Sequence, residues 1–147
     1  MKVQDVMTRD PVCLTPGATI REAAQLMQRE DIGIVPVVDE PARKRLVGVV
    51  TDRDIAIRVV AEGRDSGTRV SEIMSTSQLA TCAADDDVNE AMEAMASEQV
   101  RRIPIVDDRG SLIGIVAQAD IVRKARDGNR AERTVQQISE PSGKHHQ

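Results

Sequence analysis

The sequence predicts an α/β (α+β) fold in which two copies of one β-α-β-β-α unit pack sheet to sheet as an intramolecular pseudo-twofold pair. Three observations lead there. The chain of 147 residues is written twice, with the same blocks recurring in the same order at a nearly constant offset. Each copy holds an amphipathic helical pattern followed by two short β-branched runs. A lone unit of about 60 residues would also leave one face of a thin sheet uncovered, which a second copy can bury.

The elements follow in order. Val3-Gln-Asp-Val-Met7 returns as Val70-Ser-Glu-Ile-Met74, 67 residues on, and reads as a short helical turn. A brief strand is expected near Val12–Leu14. Thr19 with Glu22, and Asp87 with Glu90, form capping-box patterns. The helices they open carry apolar residues at 20, 23, 24 and 27 and at 88, 91, 92 and 95, one buried face each. The strands follow as Ile34–Val38 and Leu46–Val50, matched by Ile103–Val106 and Leu112–Val116. Pro36 and Pro104 sit inside the first strand of each pair, where the missing N–H must not be required. A second helix is expected from Asp52 to Glu62, stopped by Gly63, and its twin from Gln118 to Asp127, stopped by Gly128. The linker Gly63–Arg69 is short and polar. The repeats divide as 1–66 and 67–128, followed by a polar tail over 129–147 with a short helix around Thr134–Ile138 and disordered last residues.

Composition narrows the function. The chain is 40% hydrophobic and 30% charged, as a globular protein is. A net charge of −4 argues against a general electrostatic grip on nucleic acid. The absence of Phe, Tyr and Trp removes base-stacking platforms and aromatic cages, so a flat ligand must be held by aliphatic side chains and backbone. Cys13 and Cys82 stand far apart and read as small buried hydrophobes, with a bridge between them the lesser alternative. No apolar run is long enough to span a membrane and the N-terminus has no signal-peptide core, so a cytoplasmic protein with no membrane partner is expected. His145 and His146 lie in the tail and give no metal site. There is no phosphate loop of the GxxxxGK[ST] type, no nucleophile elbow and no Cys-His or Ser-His constellation. Asp85–Asp87 at a helix start reads as cap and dipole complement, and Arg43–Arg45 as a solvated hairpin loop. The basic residues Arg123, Lys124, Arg126, Arg130 and Arg133 read as a solvated helix end.

The blocks VQDVMTRDPVCLTPGATIREAAQLM, IGIVPVVDE and LVGVVTDRDI resemble a CBS domain, and the second copy, with VRRIPIVDD and LIGIVAQADI, resembles another. Together they are similar to a tandem CBS pair, or Bateman module, of the stand-alone bacterial type. The resemblance covers residues 1 to about 127. It implies a regulatory module for adenosine-containing ligands, with AMP or ATP foremost and NAD or S-adenosylmethionine as further candidates. No obligatory cofactor is implied. It also implies a homodimer that signals to an effector protein of unknown identity.

The same residues can be read chemically. Gly48–Asp54 ends a strand and opens a helix, whose first N–H groups favour an anion. Thr51 can offer its hydroxyl to a phosphate, and Asp54 can accept from two ribose hydroxyls. The resemblance implies these two contacts. The alternative is that Thr51 or Asp52 caps the helix and Asp54 complements its dipole. In the second copy Thr51 is matched by Ala117 and Asp52 by Gln118, while Asp120 is kept as a ribose contact or dipole complement. The second site is therefore expected to be weaker, or specialised for a ligand without phosphate at that place. The resemblance also implies that the segments ending at Pro36 and Pro104 border the adenine. Ile34, Val35 and Ile103 could then sandwich the ring, with core packing as the other role. Arg101 or Arg102 is placed for a ligand phosphate, or for an ion pair to Asp107 or Asp108. Thr15 and Thr81 are weaker candidates. Ile55, Ala56, Ile57, Val59 and Val60, with Ile121, Val122 and Ala125, carry the second helices' apolar surface beyond one face, as a dimer contact would. A ligand sensor is expected over a nucleotide-independent dimerisation and interaction module, and an enzyme is not expected, because no general base stands with a placed nucleophile.

Overall fold

The computed structural model of the chain describes residues 1–132, with side chains to residue 128. The expected helix at Thr134–Ile138, His145, His146 and the remainder of the tail lie outside the described residues, as do the side chains of Arg130 and Arg133.

α1 (Ile20–Glu30) begins at the predicted capping box. The Thr19 hydroxyl accepts from the Glu22 N–H at 3.1 Å, and the Glu22 carboxylate accepts from the Thr19 N–H at 2.8 Å. The helix buries Ile20, Ala23, Leu26 and Met27. Its twin α3 (Val88–Glu98) buries Val88, Ala91 and Met95 but starts differently. Asp87 accepts from the Asn89 N–H at 2.8 Å, and Glu90 does not close the expected box. The other Asp87 oxygen faces the chain's own N-terminal ammonium at 4.0 Å.

β2 (Ile34–Val38) pairs antiparallel with β3 (Leu46–Thr51), Val35 opposite Val50 and Pro36 opposite Val49. β4 (Arg102–Val106) pairs with β5 (Leu112–Ala117) in the same way, Ile103 opposite Val116 and Pro104 opposite Ile115. Both hairpins are bulged at the same place, between Val37 and Val38 and between Ile105 and Val106. The strand expected at Val12–Leu14 shrinks to one bridging residue. Leu14 donates to the Pro36 carbonyl at 3.0 Å and accepts from the Val38 N–H at 2.8 Å. Pro11 and Pro16 close it off on either side, since proline has no N–H to extend a ladder.

The N-terminal turns are exchanged between the repeats. Val3 donates to Asp86 O at 2.9 Å and joins the core of Cys82, Val88, Ala91, Met95, Ile103, Ile105, Val116 and Ile121. Val70 donates to Ala18 O at 2.7 Å and joins the core of Ile20, Ala23, Leu26, Met27, Val35, Val37, Val50 and Val59. β1 (Thr8–Arg9), which the sequence did not suggest, continues this crossing by pairing with Ile115 and Gly114 of β5. Ser75 answers it by bridging to Val49 of β3. Met7 and Met74 follow into contact with the opposite repeat. A Cβ on Gly114 would lie 2.7 Å from the Met7 sulfur and 3.0 Å from Thr8 O; one on Gly48 would lie 2.8 Å from the Met74 sulfur and 2.9 Å from Ser75 O. Only glycine admits such an approach at these two positions. The hairpin ends also meet reciprocally, Leu46 N–H donating to Gly110 O at 3.0 Å and Leu112 N–H to Lys44 O at 2.8 Å. These paired bonds trace the expected pseudo-twofold axis. Sequence repeats and spatial lobes therefore differ at their starts, with residues 3–9 on the second lobe and 70–75 on the first. The Arg43–Arg45 loop is likewise more than solvated: Lys44 is 2.7 Å from Asp10, and Arg45 bridges to Ser111.

The second helices depart from expectation in opposite ways. α2 (Asp52–Ile55) widens over Ala56–Val60 into i→i+5 bonding, with the Ala61 N–H on Ala56 O at 2.9 Å. It ends at Gly63 in the left-handed region, φ 73°, as predicted. α4 (Gln118–Glu132) does not stop at Gly128. That glycine takes no left-handed φ and is an ordinary interior residue.

Candidate functional site

Each hairpin ends where a strand turns directly into a helix, and the two corners form the candidate site. In the first, the ladder puts Ile34 opposite Thr51, and Asp52 N–H donates to Gly33 O at 2.9 Å. Thr51 caps α2: its hydroxyl accepts from the Asp54 N–H at 3.0 Å, and Asp54 Oδ2 accepts from the Thr51 N–H at 2.9 Å. Asp52 Oδ1 accepts from the Arg53 N–H at 2.8 Å. The capping reading of Thr51 and Asp54 is thus the one their hydrogen bonds display. It leaves chemistry over. The Thr51 hydroxyl proton remains to donate, and among the described residues Asp54 Oδ1 is faced by Arg58 Nε at 4.0 Å; the Asp54 side chain is 15% exposed. This oxygen is a fixed, partly desolvated acceptor, suited to a diol.

The helix start that was expected to favour an anion has its first N–H groups engaged within the protein. The N–H groups of Asp52, Arg53 and Asp54 are all taken by oxygens of the protein, and two carboxylates stand beside them. A phosphate bound directly to these N–H groups would have to displace those acceptors, so a nucleotide held through Asp54 would keep its phosphate away from them.

In the second corner Arg102 lies opposite Ala117, and Gln118 N–H donates to Arg101 O at 2.8 Å. Ala117 has no side-chain oxygen with which to cap α4. Asp120 is paired with Arg123, and its side chain is 29% exposed.

The aliphatic slot is largely core. Val35 and Ile103 have no exposed surface and belong to the two helix-side clusters; Pro36 and Pro104 are also buried. Burial on both sheet faces defeats the alternation that would have separated slot from core. Ile34 alone of the expected aliphatic wall is partly exposed. Thr15 and Thr81 are not equivalent. Leu14 bridges to Val37 and Cys82 to Ile105, so Thr15 follows the bridge of its lobe whereas Thr81 precedes it. Thr15 is half-buried and its carbonyl accepts from the Ala18 N–H at 3.0 Å. Thr81 is exposed on an open cleft of about 570 Å³, with Gln4, Asp85, Asp86, Asp107 and Asp108, apart from both corners. Asp107 is turned inward on its own loop, accepting from the Arg109 and Ser111 N–H groups at 2.9 Å, which hold its carboxyl below the usual range.

Cys13 and Cys82 are free, and burial pushes both thiols up, so each is a protonated hydrophobe. Among the described residues no three His, Cys, Asp or Glu side chains converge on a point that could hold a metal.

Comparison with known proteins accounts for this architecture. The CBS domain family model matches residues 3–61 and again 70–127. The chain is 44% identical over 119 residues to the CBS domain-containing protein YhcV of Bacillus subtilis, covering 81% of each. Among solved structures it resembles CBSX2 of Arabidopsis thaliana in complex with AMP, at TM-score 0.75 and 27% identity over 88% of this chain and 98% of that one. It resembles equally the CBS domain pair of protein MJ0100 in complex with 5-methylthioadenosine and S-adenosyl-L-methionine, at TM-score 0.74 and 27% identity over 87% and 98%. Such repeats make a regulatory module and not a catalytic one. A twice-matched family model, a close sequence relative and the paired hairpins agree: the chain belongs to the CBS domain family and carries two copies of the domain.

Proposed function

We propose that this chain is a regulatory module that binds adenosine-containing ligands at its two strand-to-helix corners and reports their presence to a partner protein. The observation that carries the reading is Asp54. Its carboxylate is locked by the Thr51 N–H with one oxygen left over at a partly buried corner. A vicinal diol fits such an acceptor. The complexes of CBSX2 with AMP and of MJ0100 with methylthioadenosine and S-adenosylmethionine support the ligand class. Among the described residues no helix is long and apolar enough to cross a membrane, and we place the module in the cytoplasm, where adenylates are abundant.

The test is a melting curve of ligand-stripped protein with AMP, ATP, NAD or S-adenosylmethionine, followed by circular dichroism because the chain has no Trp, Tyr or Phe. A ligand at a hundredfold excess over its dissociation constant adds about 2.7 kcal/mol, or about 5–10 °C for a chain of this size. No shift with any of them at millimolar concentration would replace this reading with a nucleotide-independent interaction module.

The reading includes a homodimer. Ile57 and Val60, on the widened turn after α2, are 49% and 71% exposed, and Val122 on α4 is 46% exposed. Val59 and Ile121, named with them in the sequence, are buried in the cores instead. Widening turns Ile57 and Val60 outward while Val59 stays inside, and a second copy would cover them. Light scattering is expected to give twice the chain mass of 16.0 kDa at tens of micromolar protein. A monomer there would remove the dimer from the proposal.

A further inference from the structure

We infer that Arg58 is a positioning residue that ties the ligand acceptor Asp54 to the turn lent by the second repeat, so that filling the first corner tightens the joint between the repeats. This rests on the proposed adenosine binding and goes beyond it.

The contacts around Arg58 close a ring. Thr51 N–H donates to Asp54 Oδ2 at 2.9 Å, and Asp54 Oδ1 faces Arg58 Nε at 4.0 Å. Arg58 Nη1 donates to Ile73 O at 3.0 Å. Two residues on, Ser75 N–H donates to Val49 O at 2.9 Å and Val49 N–H to Ser75 O at 3.0 Å. Val49 leads along β3 back to Thr51. The ring thus runs through the ligand acceptor, the widened turn, the exchanged turn and the strand. Ile73 is buried in the first core although it belongs to the second repeat.

The local backbone explains the reach of Arg58. It lies within Ala56–Val60, where i→i+5 bonding widens the turn, a feature that recurs at functional sites. The second repeat lacks the device. An offset of 66 pairs Arg58 with Lys124, an exposed residue on the regular helix α4, and Asp120 is engaged by Arg123 instead. An ammonium is a single point charge, whereas the guanidinium fork can hold a carboxylate and a carbonyl at once.

Charge decides what the ring does. Asp54 Oδ1 and Ile73 O draw on the same guanidinium. A diol donating to Asp54 Oδ1 satisfies the carboxylate and weakens its claim on Arg58, which commits the guanidinium to Ile73 O. The ligand therefore favours the arrangement in which the exchanged turn is held, and the two events share one equilibrium. That turn sets Met74 against Gly48 and leads directly into the second repeat, where occupancy of the first corner is then felt.

The test compares the wild-type chain with Arg58→Gln, both stripped of ligand. Calorimetric titration with adenosine and with AMP gives affinity, and amide hydrogen exchange read by NMR gives the hold on the turn. In the wild type, saturating AMP is expected to slow exchange at Met74 and Ser75 by about threefold or more beyond any change at Met7, the counterpart of Met74 in the turn that no arginine holds. Arg58→Gln is expected to erase that excess. It should nonetheless bind adenosine about two- to fivefold more tightly, since no cation competes for Asp54 Oδ1. Opposite signs in the two readouts separate a relay from structural damage, which would weaken binding. AMP bound by the wild type without the excess at Met74, or an excess that survives in Arg58→Gln, overturns the relay and leaves adenosine binding in place. Weaker binding of AMP alone by Arg58→Gln would make Arg58 a phosphate contact, and weaker binding of both ligands a structural one; either overturns the relay. Wild-type protein that binds neither ligand overturns the underlying reading and the relay with it.

Discussion

Val3→Asp is expected to abolish the folded state of the second lobe, although Val3 belongs to the first repeat in sequence. Val3 has no exposed surface and is walled by Cys82, Val88, Ile103 and Ile105, all apolar or nearly so. No polar side chain is buried among the described residues, so a carboxylate there would find no partner. An unpaired buried charge costs on the order of 4 kcal/mol or more, against a total stability of about 5–15 kcal/mol for a domain. Val70→Asp should damage the first lobe in the same way, through Ile20, Val35 and Val50. Val3→Ala, which only leaves a small void, should cost about 2 kcal/mol. Urea unfolding followed by circular dichroism separates these outcomes. Because each core contains the other repeat's turn, the wild-type chain should unfold in one transition. A Val3→Asp midpoint equal to that of the wild type would show that the exchanged turn is not part of the core.

That exchange marks how far the fold was legible. The repeat, the two amphipathic helices and the two hairpins are written in the spacing of apolar residues, because each buries one face or sits in a bulged ladder. The pattern Val3-Gln-Asp-Val-Met7 says that a turn is buried and does not say against which sheet. Tertiary contacts decide it, among them the bonds of Val3 to Asp86 and Val70 to Ala18 and the approach of Met7 to Gly114 and Met74 to Gly48. Gly128 misled in the other direction. A glycine inside a helix costs about 1 kcal/mol, a local preference that the neighbouring Ala125 and Arg126 and the docking of Ile121 override. The widened turn at Ala56–Val60 has no sequence signature beyond a run of β-branched residues, which are poor helix formers.

The site was legible in position and less so in role. Thr51, Asp54 and Asp120 lie at the corners where the repeat placed them. The threonine-x-x-aspartate spacing that suggested ligand contact is also capping-box spacing, and the hydrogen bonds show the latter. Val35 and Ile103 display the core role that stood beside the slot, and the sequence could not separate the two because strands buried on both faces have no polar side to alternate with. Thr15 and Thr81 are not counterparts: the 68-residue offset of the neighbouring blocks pairs Thr15 with Ala83, and the structure keeps that offset through Leu14 and Cys82. Arg101 and Arg102 were singled out by their place before Pro104 and by their charge, and the ladder register adds that Arg102 lies opposite Ala117.

Asp54→Ala is expected to lower AMP affinity by about 10- to 100-fold, the loss of a charged acceptor whose ribose donors are left unpaired. The same change opens the Thr51 capping box and should cost about 1 kcal/mol of stability, so binding must be measured well below the melting temperature of the variant. Asp54→Asn separates the two effects. Its amide oxygen can still accept from the Thr51 N–H and hold the cap, but as a neutral acceptor it grips a diol less strongly. Stability near that of the wild type with clearly weakened AMP binding is the expected signature. Asp120→Ala should matter less for AMP. Asp120 is more exposed than Asp54, 29% against 15%, and its carboxylate is already engaged by Arg123. Water and the ion pair therefore compete for the oxygens that a ribose would need. Calorimetric titration of the three variants with AMP ranks them directly. A larger loss from Asp120→Ala than from Asp54→Ala would move the stronger AMP site to the second corner, and an Asp54→Asn variant that binds as the wild type does would reduce Asp54 to a helix cap.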